Sequence, residues 1–522
     1  MSNFSPYANY GYLGLIKEAT EATALTPTTF VGILSESLVP SFGVKSIQTI
    51  AGDRERNVRS VPDKIEMSGD VEFYVEPKTI GHFLRSLFGE PVSQTLTAAT
   101  AFRHVFQVSD SPKTYTIDIQ PADAPWVHRY YGVHMSKIEL SQGDNVIKCT
   151  ASLVPRKAFI NARVTSAANS GTTVAMDQTS GLVAGDSILI IQQEDGYTTV
   201  QDRIIGSITN ENSLEVTVAL DAQIDVDDIV VIKRQTATYD QDLELTWLGG
   251  TDVSTGDDID NTSSEDTEDF KVMFENELEP RYFAGKDEVD RYPGDIITKG
   301  YTVGAELSKY YDSESKLDLA RKNDQFGLRY EFCGETALEA NALVKASSTW
   351  GATANGFKVE ASTGGKAGND YNVTIVINTI DTLAAALSGN NILVSLASTT
   401  AANNTGTLIA SAINALSGVD ATAEGTGEEQ FTVAEDNQNL GFRVDSAGAE
   451  AGTNVVGRDA SEVPFIQVDL SAAKLEPYFP NATEDGILQE EMTLVGYKDT
   501  VSGDQKKNWS TRVYLVNDES SY

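Results

Sequence analysis

Histidines, cysteines and carboxylates are the side chains in this chain with chemistry to offer, and their spacing speaks against most of it. The four histidines are scattered. His82 falls in a helical pattern, His104 and His134 in strands, and His128 in a turn. None forms the His-x-x-x-His or Cys-x-x-Cys spacing that holds zinc. Cys149 and Cys333 lie far apart in strand-like settings, with no base close by in sequence, so they read as buried thiols rather than nucleophiles or a disulfide framework. No Gly-x-Ser-x-Gly elbow occurs. Gly364-Gly365-Lys366 resembles a phosphate loop at first sight, but a strand pattern follows where a helix is needed, so a tight turn is the better reading. Paired carboxylates could hide among 76 acidic residues, yet in so acidic a chain most are solvated surface. The expectation is no enzymatic activity, no cofactor and no metal.

Other charged groups read as contact surfaces. Arg54, Arg56 and Arg59 interleave with Asp53 and Glu55, which weakens a phosphate site and favours an intersubunit or a solvated loop. Asp257, Asp258 and Asp260 lie in the stretch 249–269, rich in Asp, Glu, Ser and Thr, where a solvated loop is expected. The glycine and closing glutamate of a calcium loop are missing there. With 39 Lys+Arg against 76 Asp+Glu, the formal net charge is -37. Such a chain repels nucleic acid, whose affinity for proteins comes mostly from cations meeting phosphate.

The elements are organised around Val61 to Gly89. Ile65, Met67, Val71, Phe73 and Val75 alternate with polar residues, predicting a strand pair. Beyond Pro77, Ile80, Phe83, Leu84 and Leu87 fall at helical spacing, and Gly89 stands where a cap belongs. Pro293 to Gly300 repeats the spacing of Pro62 to Gly69, and a strand and a helix-like stretch (Ser313 to Ala320) follow, implying two copies of one unit. At 522 residues and 40% hydrophobic, the chain has material for three or four domains. No apolar run is long enough to span a bilayer, and no basic-then-apolar leader follows Met1, so synthesis in the cytoplasm without membrane insertion is expected.

The order of elements resembles phage tail tube proteins. The resemblance rests on the glycine-rich start, Gly69-Asp70-Val71-Glu72-Phe73, Ile80 to Gly89 and Tyr131-Gly132-Val133. It continues through Leu243 to Trp247, Phe270 to Tyr282, Asp295 to Gly300, Met492 to Tyr497 and Thr511 to Asn517. It implies a mainly β fold: a β-sandwich or barrel core with short helices, which the Pro-to-Gly repeat would make a duplicated one; two inserted segments, a small all-β one and an α+β one, depart from the family's compact form. The expected organisation is 1–162 first core half, 163–235 inserted β domain, 236–344 second core half, 345–462 inserted α+β domain and 463–522 closing strands.

The function so implied is a structural virion protein that stacks as homotrimeric or homohexameric rings into a tail tube. Strands of neighbouring subunits join into one inner barrel, and an acidic lumen lets DNA pass without binding. The partners implied are further copies and other tail proteins (tape measure, terminator, baseplate or sheath). Arg54, Arg56, Arg59, Asp257, Asp258 and Asp260 then become candidate contacts to the next ring. The alternative is a virion adhesin with Trp126, Trp247, Trp350 and Trp509 as sugar-stacking candidates.

Overall fold

The computed structural model describes residues 12–48, 57–97, 101–121, 124–143, 146–168, 170–192, 200–236, 250–256, 263–265, 267, 269–283, 291–310, 315–322, 324–333, 339–340, 345–351, 355–364, 368, 370–432, 435–440, 454–455, 461–462, 464–476, 481–482, 488–497 and 509–522. The chain opens with β1 (Tyr12–Lys17), β2 (Thr29–Glu36), β3 (Val39–Gln48), β4 (Asn57–Tyr74) and helix α1 (Pro77–Phe88). Then come β5 (Val92–Thr97), β6 (Ala101–Gln107), β7 (Tyr115–Ile119), β8 (Trp126–Gly143), β9 (Val146–Val154) and β10 (Lys157–Phe159). Neighbours pair antiparallel in the order β1, β2, β4, β9, β8, β7 and back to β1, a closed circuit. His128 lies within β8 and not in a turn.

The stretch expected as a strand pair is one strand. β4 runs straight through Gly69, pairing with β3 before it and with β9 after it. Gly69 is there for space rather than for a turn, because a Cβ would meet the Leu38 backbone at 2.5 Å. β8 changes partners similarly near Gly132, whose φ of +62° a side chain rarely adopts.

A second body follows, built of β11 (Ala162–Arg163), β12 (Thr173–Ala175), β13 (Ser187–Ile191), β14 (Val200–Asn210), β15 (Ser213–Val216) and β16 (Ile229–Lys233). Pairing runs β11, β16, β13, β14, β15, β12, and a bridge between Val164 and Met176 closes a small barrel. Its apolar centre includes Val174, Met176, Ile188, Ile190 and Leu214, and it takes in Tyr12 and Phe159 from the first circuit. β16 also pairs with β8 at Val127 and Trp126, so this barrel is hydrogen-bonded to the core.

The chain returns through β17 (Gly250–Gly256), β18 (Ser263–Glu265), β19 (Asp269–Arg281), β20 (Asp295–Tyr310), α2 (Ser315–Lys322) and β21 (Phe326–Cys333). The two-residue strands β22 (Glu339–Ala340) and β31 (Ser461–Glu462) pair as the stem of a third body. Between them lie β23 (Ser347–Trp350), β24 (Phe357–Ala361), β25 (Asn372–Ile377), β26 (Ala384–Ser388), β27 (Asn391–Leu396), α3 (Gly406–Ile413), β28 (Val419–Ala423), β29 (Glu435–Asn439) and β30 (Asn454–Val455). They make two four-stranded sheets around a separate core with Trp350, Phe357, Ile375, Val394 and Ile409. The Thr405 hydroxyl caps α3 by accepting from the Leu408 amide at 3.4 Å. The helix ends at Ile413, where Asn414 turns its side-chain amide onto the Ala421 backbone.

The last strands are β32 (Phe465–Leu475), β33 (Asn481–Ala482), β34 (Leu488–Tyr497) and β35 (Thr511–Asn517). In the second half, pairing runs β19, β20, β34, β32, β21, β17. It repeats β2, β4, β9, β8, β7, β1 step for step, and β35 lies on β32 as β10 lies on β8. α2 follows β20 as α1 follows β4. The core is therefore one unit used twice.

Helix α1 joins the two halves. Ile80, Phe83, Leu84, Leu87 and Phe88 are buried in a cluster that draws on strands of both halves. Phe88 meets Phe274 edge-on at 5.3 Å, and the Asn276 amide donates to the Leu87 carbonyl at 2.9 Å. Burying five such side chains contributes on the order of 10 kcal/mol before entropy is counted.

Candidate functional site

Eight strands are hydrogen-bonded neighbours in the order β2, β4, β9, β8, β19, β20, β34, β32. One face of this sheet is the core, with Val71, Phe73, Ala151, Ile138, Val272, Phe274, Ala305 and Leu494 all buried. Side chains alternate across a strand, so the other face carries the polar phase. Registers lay that phase out in rows. One row reads Glu72, Thr150, Glu139, Met273, Gly304, Val495, Lys474. The row on one side reads Asp70, Ser152, Lys137, Glu275, Thr302, and on the other Tyr74, Lys148, Ser141, Lys271, Glu306, Thr493.

This face is acidic but internally braced. Lys137 donates to Glu139 at 2.8 Å, while Lys271 reaches Glu139 at 3.1 Å and Glu306 at 3.8 Å. Partial burial opposes the charge of Glu139, but the lysine hydrogen bonds outweigh it and hold the carboxyl below its usual pKa. Asp70 accepts the Ser152 hydroxyl at 2.6 Å, and Glu72 accepts from Ser35 at 3.2 Å. Asp70, Glu72, Glu139, Asp269, Glu275, Glu306 and Glu491 outnumber Lys137, Lys148, Lys271 and Lys474 on it. Sequence reasoning assigned none of them to a site, and quoted Asp70 and Glu72 only as part of a strand motif. The available signal was the polar phase of each strand's alternation, which becomes a surface only once the strand order is known.

Two ion groups, one fully buried and one partly buried, tie the flanking bodies to the core. Arg129 on β8 is fully buried and grips its cross-strand neighbour Asp118 on β7 through two bonds of 2.8 and 2.9 Å. It also donates to Asp186 of the small barrel at 3.1 Å. Burial opposes the guanidinium charge, and the two aspartates outweigh it, so its pKa stands above the ordinary value. The second half repeats the device with the signs exchanged. Arg329 on β21 faces Asp469 on β32 at 2.8 Å and reaches Asp370 of the third body at 3.2 Å.

The hairpin of β3 and β4 extends beyond the first circuit and exposes Val39, Phe42 and Val44. The end of the β19–β20 hairpin lies beside it. Arg291 donates to the Asp63 carbonyl at 2.7 Å, the Tyr282 hydroxyl to the Ile65 carbonyl at 3.2 Å, and Phe283 is exposed. Of the expected contact residues, Arg59 lies on β4 opposite Ile47. Arg54, Arg56, Asp257, Asp258 and Asp260 fall outside the described residues. Among the tryptophans, Trp350 is buried against Phe357, Trp126 and Trp509 are half-buried, and Trp247 falls outside the described residues. Among the described residues no group of three or more His, Cys, Asp or Glu is placed to hold a metal ion, and no helix is long and apolar enough to cross a membrane.

Residues 9–255 match the family model of the phage tail tube protein. Through that stretch the chain is similar to phage tail tube proteins. No curated protein matches it. The matched stretch covers the whole first circuit, the small barrel and most of β17. The rest of the second half, from β19 onwards, lies beyond the match and repeats the strand order of the first.

Proposed function

We propose that three copies of this chain close into a ring, that rings stack into a tube, and that the acidic sheet face lines its lumen as the passage for the viral genome. The observation that carries this reading is the single run of eight paired strands, apolar toward the core and acidic on the other side. Two like units per chain give a threefold ring six quasi-equivalent positions. A lumen lined by carboxylates repels phosphate over the 8–10 Å that salt leaves unscreened, so DNA slides without sticking. The lysines within the rows limit that repulsion, which also limits repulsion between copies.

The exposed apolar tips around Phe42, Val44 and Phe283 serve as contacts to the next ring, with Arg54, Arg56 and Arg59 or Asp257, Asp258 and Asp260 beside them. The bodies at 163–235 and 345–462 are insertions carried outside the tube, the second around a core of its own and the first around one it shares with Tyr12 and Phe159 of the first circuit. Partners are further copies, a tape measure within the lumen, and terminator, baseplate or sheath proteins at the ends and surface. The protein would be made in host cytoplasm and reside in the virion tail.

Electron microscopy of the concentrated protein tests the reading. Hollow stacks of rings with three chains per ring are expected. Six chains per ring would remove the threefold arrangement. Particles that never polymerise, even in salt that screens the charge, would remove the tube itself.

A further inference from the structure

Within the eight-stranded sheet, one strand contact carries the pairing from one half to the other: the end of β8 lies against β19, with Glu139 opposite Met273 and Lys137 opposite Glu275. The second half carries the counterpart of that β8 end. Where β8 reads Lys137-Ile138-Glu139, paired through Lys137 and Ile138 to β9, β32 ends in Lys474-Leu475 paired to β34, and Glu476 follows, bonding to the Thr493 carbonyl. β21 leaves β32 after Ala473, so on that side no described strand pairs with Lys474 and Leu475. The first half carries the counterpart of β19. It is the run from β2 into β3, where Ser35 and Glu36 pair with β4 on one side and no described strand pairs with them on the other. Leu34 and Val39 there are exposed. A donor edge without its acceptor and an acceptor edge without its donor stand on one molecule, and the chain itself shows how the two fit.

We propose that copies of this chain join by repeating that internal contact, the Lys474–Glu476 end of one copy lying antiparallel along Ser35–Val39 of the next. The inference rests on the ring reading and specifies its joint. Carrying the internal register across puts Ser37 opposite Glu476 and Val39 opposite Lys474. The contact is head-to-tail, so it closes only if the rotation per copy closes, and it satisfies backbone groups that otherwise face water.

The two joints are alike in strands and unlike in support. Inside the chain, β6 pairs with β35 and the Asn517 side chain bonds to the Pro77 carbonyl of α1, clasping the halves behind the sheet. In the second half no counterpart of β5 and β6 stands between helix and next strand, because only 323–325 separate α2 from β21. The joint between copies therefore lacks that clasp. It is the one that opens when a ring comes apart, while the internal joint stays shut.

The test is a cysteine pair, Ser37→Cys with Glu476→Cys, in the full chain, oxidised after assembly and resolved by denaturing electrophoresis alongside imaging. Covalent dimers and trimers from assembled material are expected, and neither single variant should give them. Rings that form without the cross-link would overturn this joint while leaving the tube reading intact. Absence of any ring would overturn both. Hydrogen exchange on the unmodified chain covers the case of a misfolded variant. Amides of 35–39 and 474–476 should slow on assembly, whereas those of β8 and β19 should be protected before and after. Unchanged exchange at 474–476 in assembled tubes would equally overturn it.

Discussion

At the scale of single residues, the buried arginines set how firmly the parts are held. Arg129 neutralises Asp118 and Asp186 together, so removing it strands two carboxylates facing each other out of water. Breaking a buried pair from one side costs about 3–5 kcal/mol, and Arg129→Ala should lower unfolding stability by that order in denaturant titration. A loss below about 1 kcal/mol would mean that strand pairing with β8 and the shared apolar packing hold the small barrel without this ion group. His82 makes a different prediction. It lies edge-on to Tyr115 and Tyr522 at 5.9 and 5.1 Å, and burial, aided by Arg85 and Lys17, pushes its pKa down to about 4. Between about 4 and the ordinary 6.5 the unfolded chain binds the proton and the folded one does not. Stability from this group is thus complete above 6.5 and is lost as pH falls toward 4, by at most about 3 kcal/mol. His82→Phe keeps the ring packing and should flatten that part of the profile in melting curves at pH 4.5 and 7. An unchanged slope would assign acid sensitivity to other groups, such as His104, whose pKa burial also lowers.

At the scale of elements, α1 carries the strongest sequence signal and the least obvious constraint. Its apolar spacing and the Gly89 cap were readable because helical periodicity is local. What it touches was not, because β19 and β35, which pack against it beside the nearby β6, come from far along the chain. Gly81 shows the gap: a Cβ there would overlap the Tyr522 ring, whose hydroxyl donates to the Pro77 carbonyl at 3.2 Å. Gly81→Ala should expel Tyr522 and cost about as much as Tyr522→Ala, on the order of 2–4 kcal/mol. The double variant should cost little more than either one, since both break one contact. Full additivity in denaturant titration would show that the helix tolerates the methyl elsewhere. The repeat was half legible for a related reason. Pro62 to Gly69 and Pro293 to Gly300 do lie on or beside equivalent strands. Pairing sets Gly69 opposite Leu153 and Val303 opposite Gly496, which offsets the punctuation from the hydrogen-bond register by three residues. Alternation reports which face a residue takes and not which strand lies beside it, so the acidic rows and the Arg329–Asp469 pair stayed hidden.

At the scale of the whole molecule, net charge and where it lies are separate quantities. The formal charge of -37 belongs to the entire chain, and only the carboxylates within a Debye length of a passing duplex act on it. The sheet face mixes braced pairs, such as Lys137 with Glu139, with carboxylates held by hydroxyl donors, such as Asp70 and Glu72. Reversing Asp70, Glu275 and Glu491 to lysine changes the face by two charges per site in every copy and leaves the apolar side of the sheet untouched. Assembled tubes of that variant should retain duplex DNA in a filter or sedimentation assay, with retention falling steeply as salt rises, because each phosphate contact releases counterions. Tubes of the unaltered chain should retain none at any salt. The same three reversals placed on the small barrel, at Asp202, Glu211 and Asp225, test location against sum: they alter the total equally and should not trap DNA inside a tube. If both variants retain DNA alike, outside binding explains the result and this face is not the lumen. If the first variant assembles and still retains none, the lumen is formed by another surface, and the eight-stranded sheet serves to join copies rather than to carry the genome.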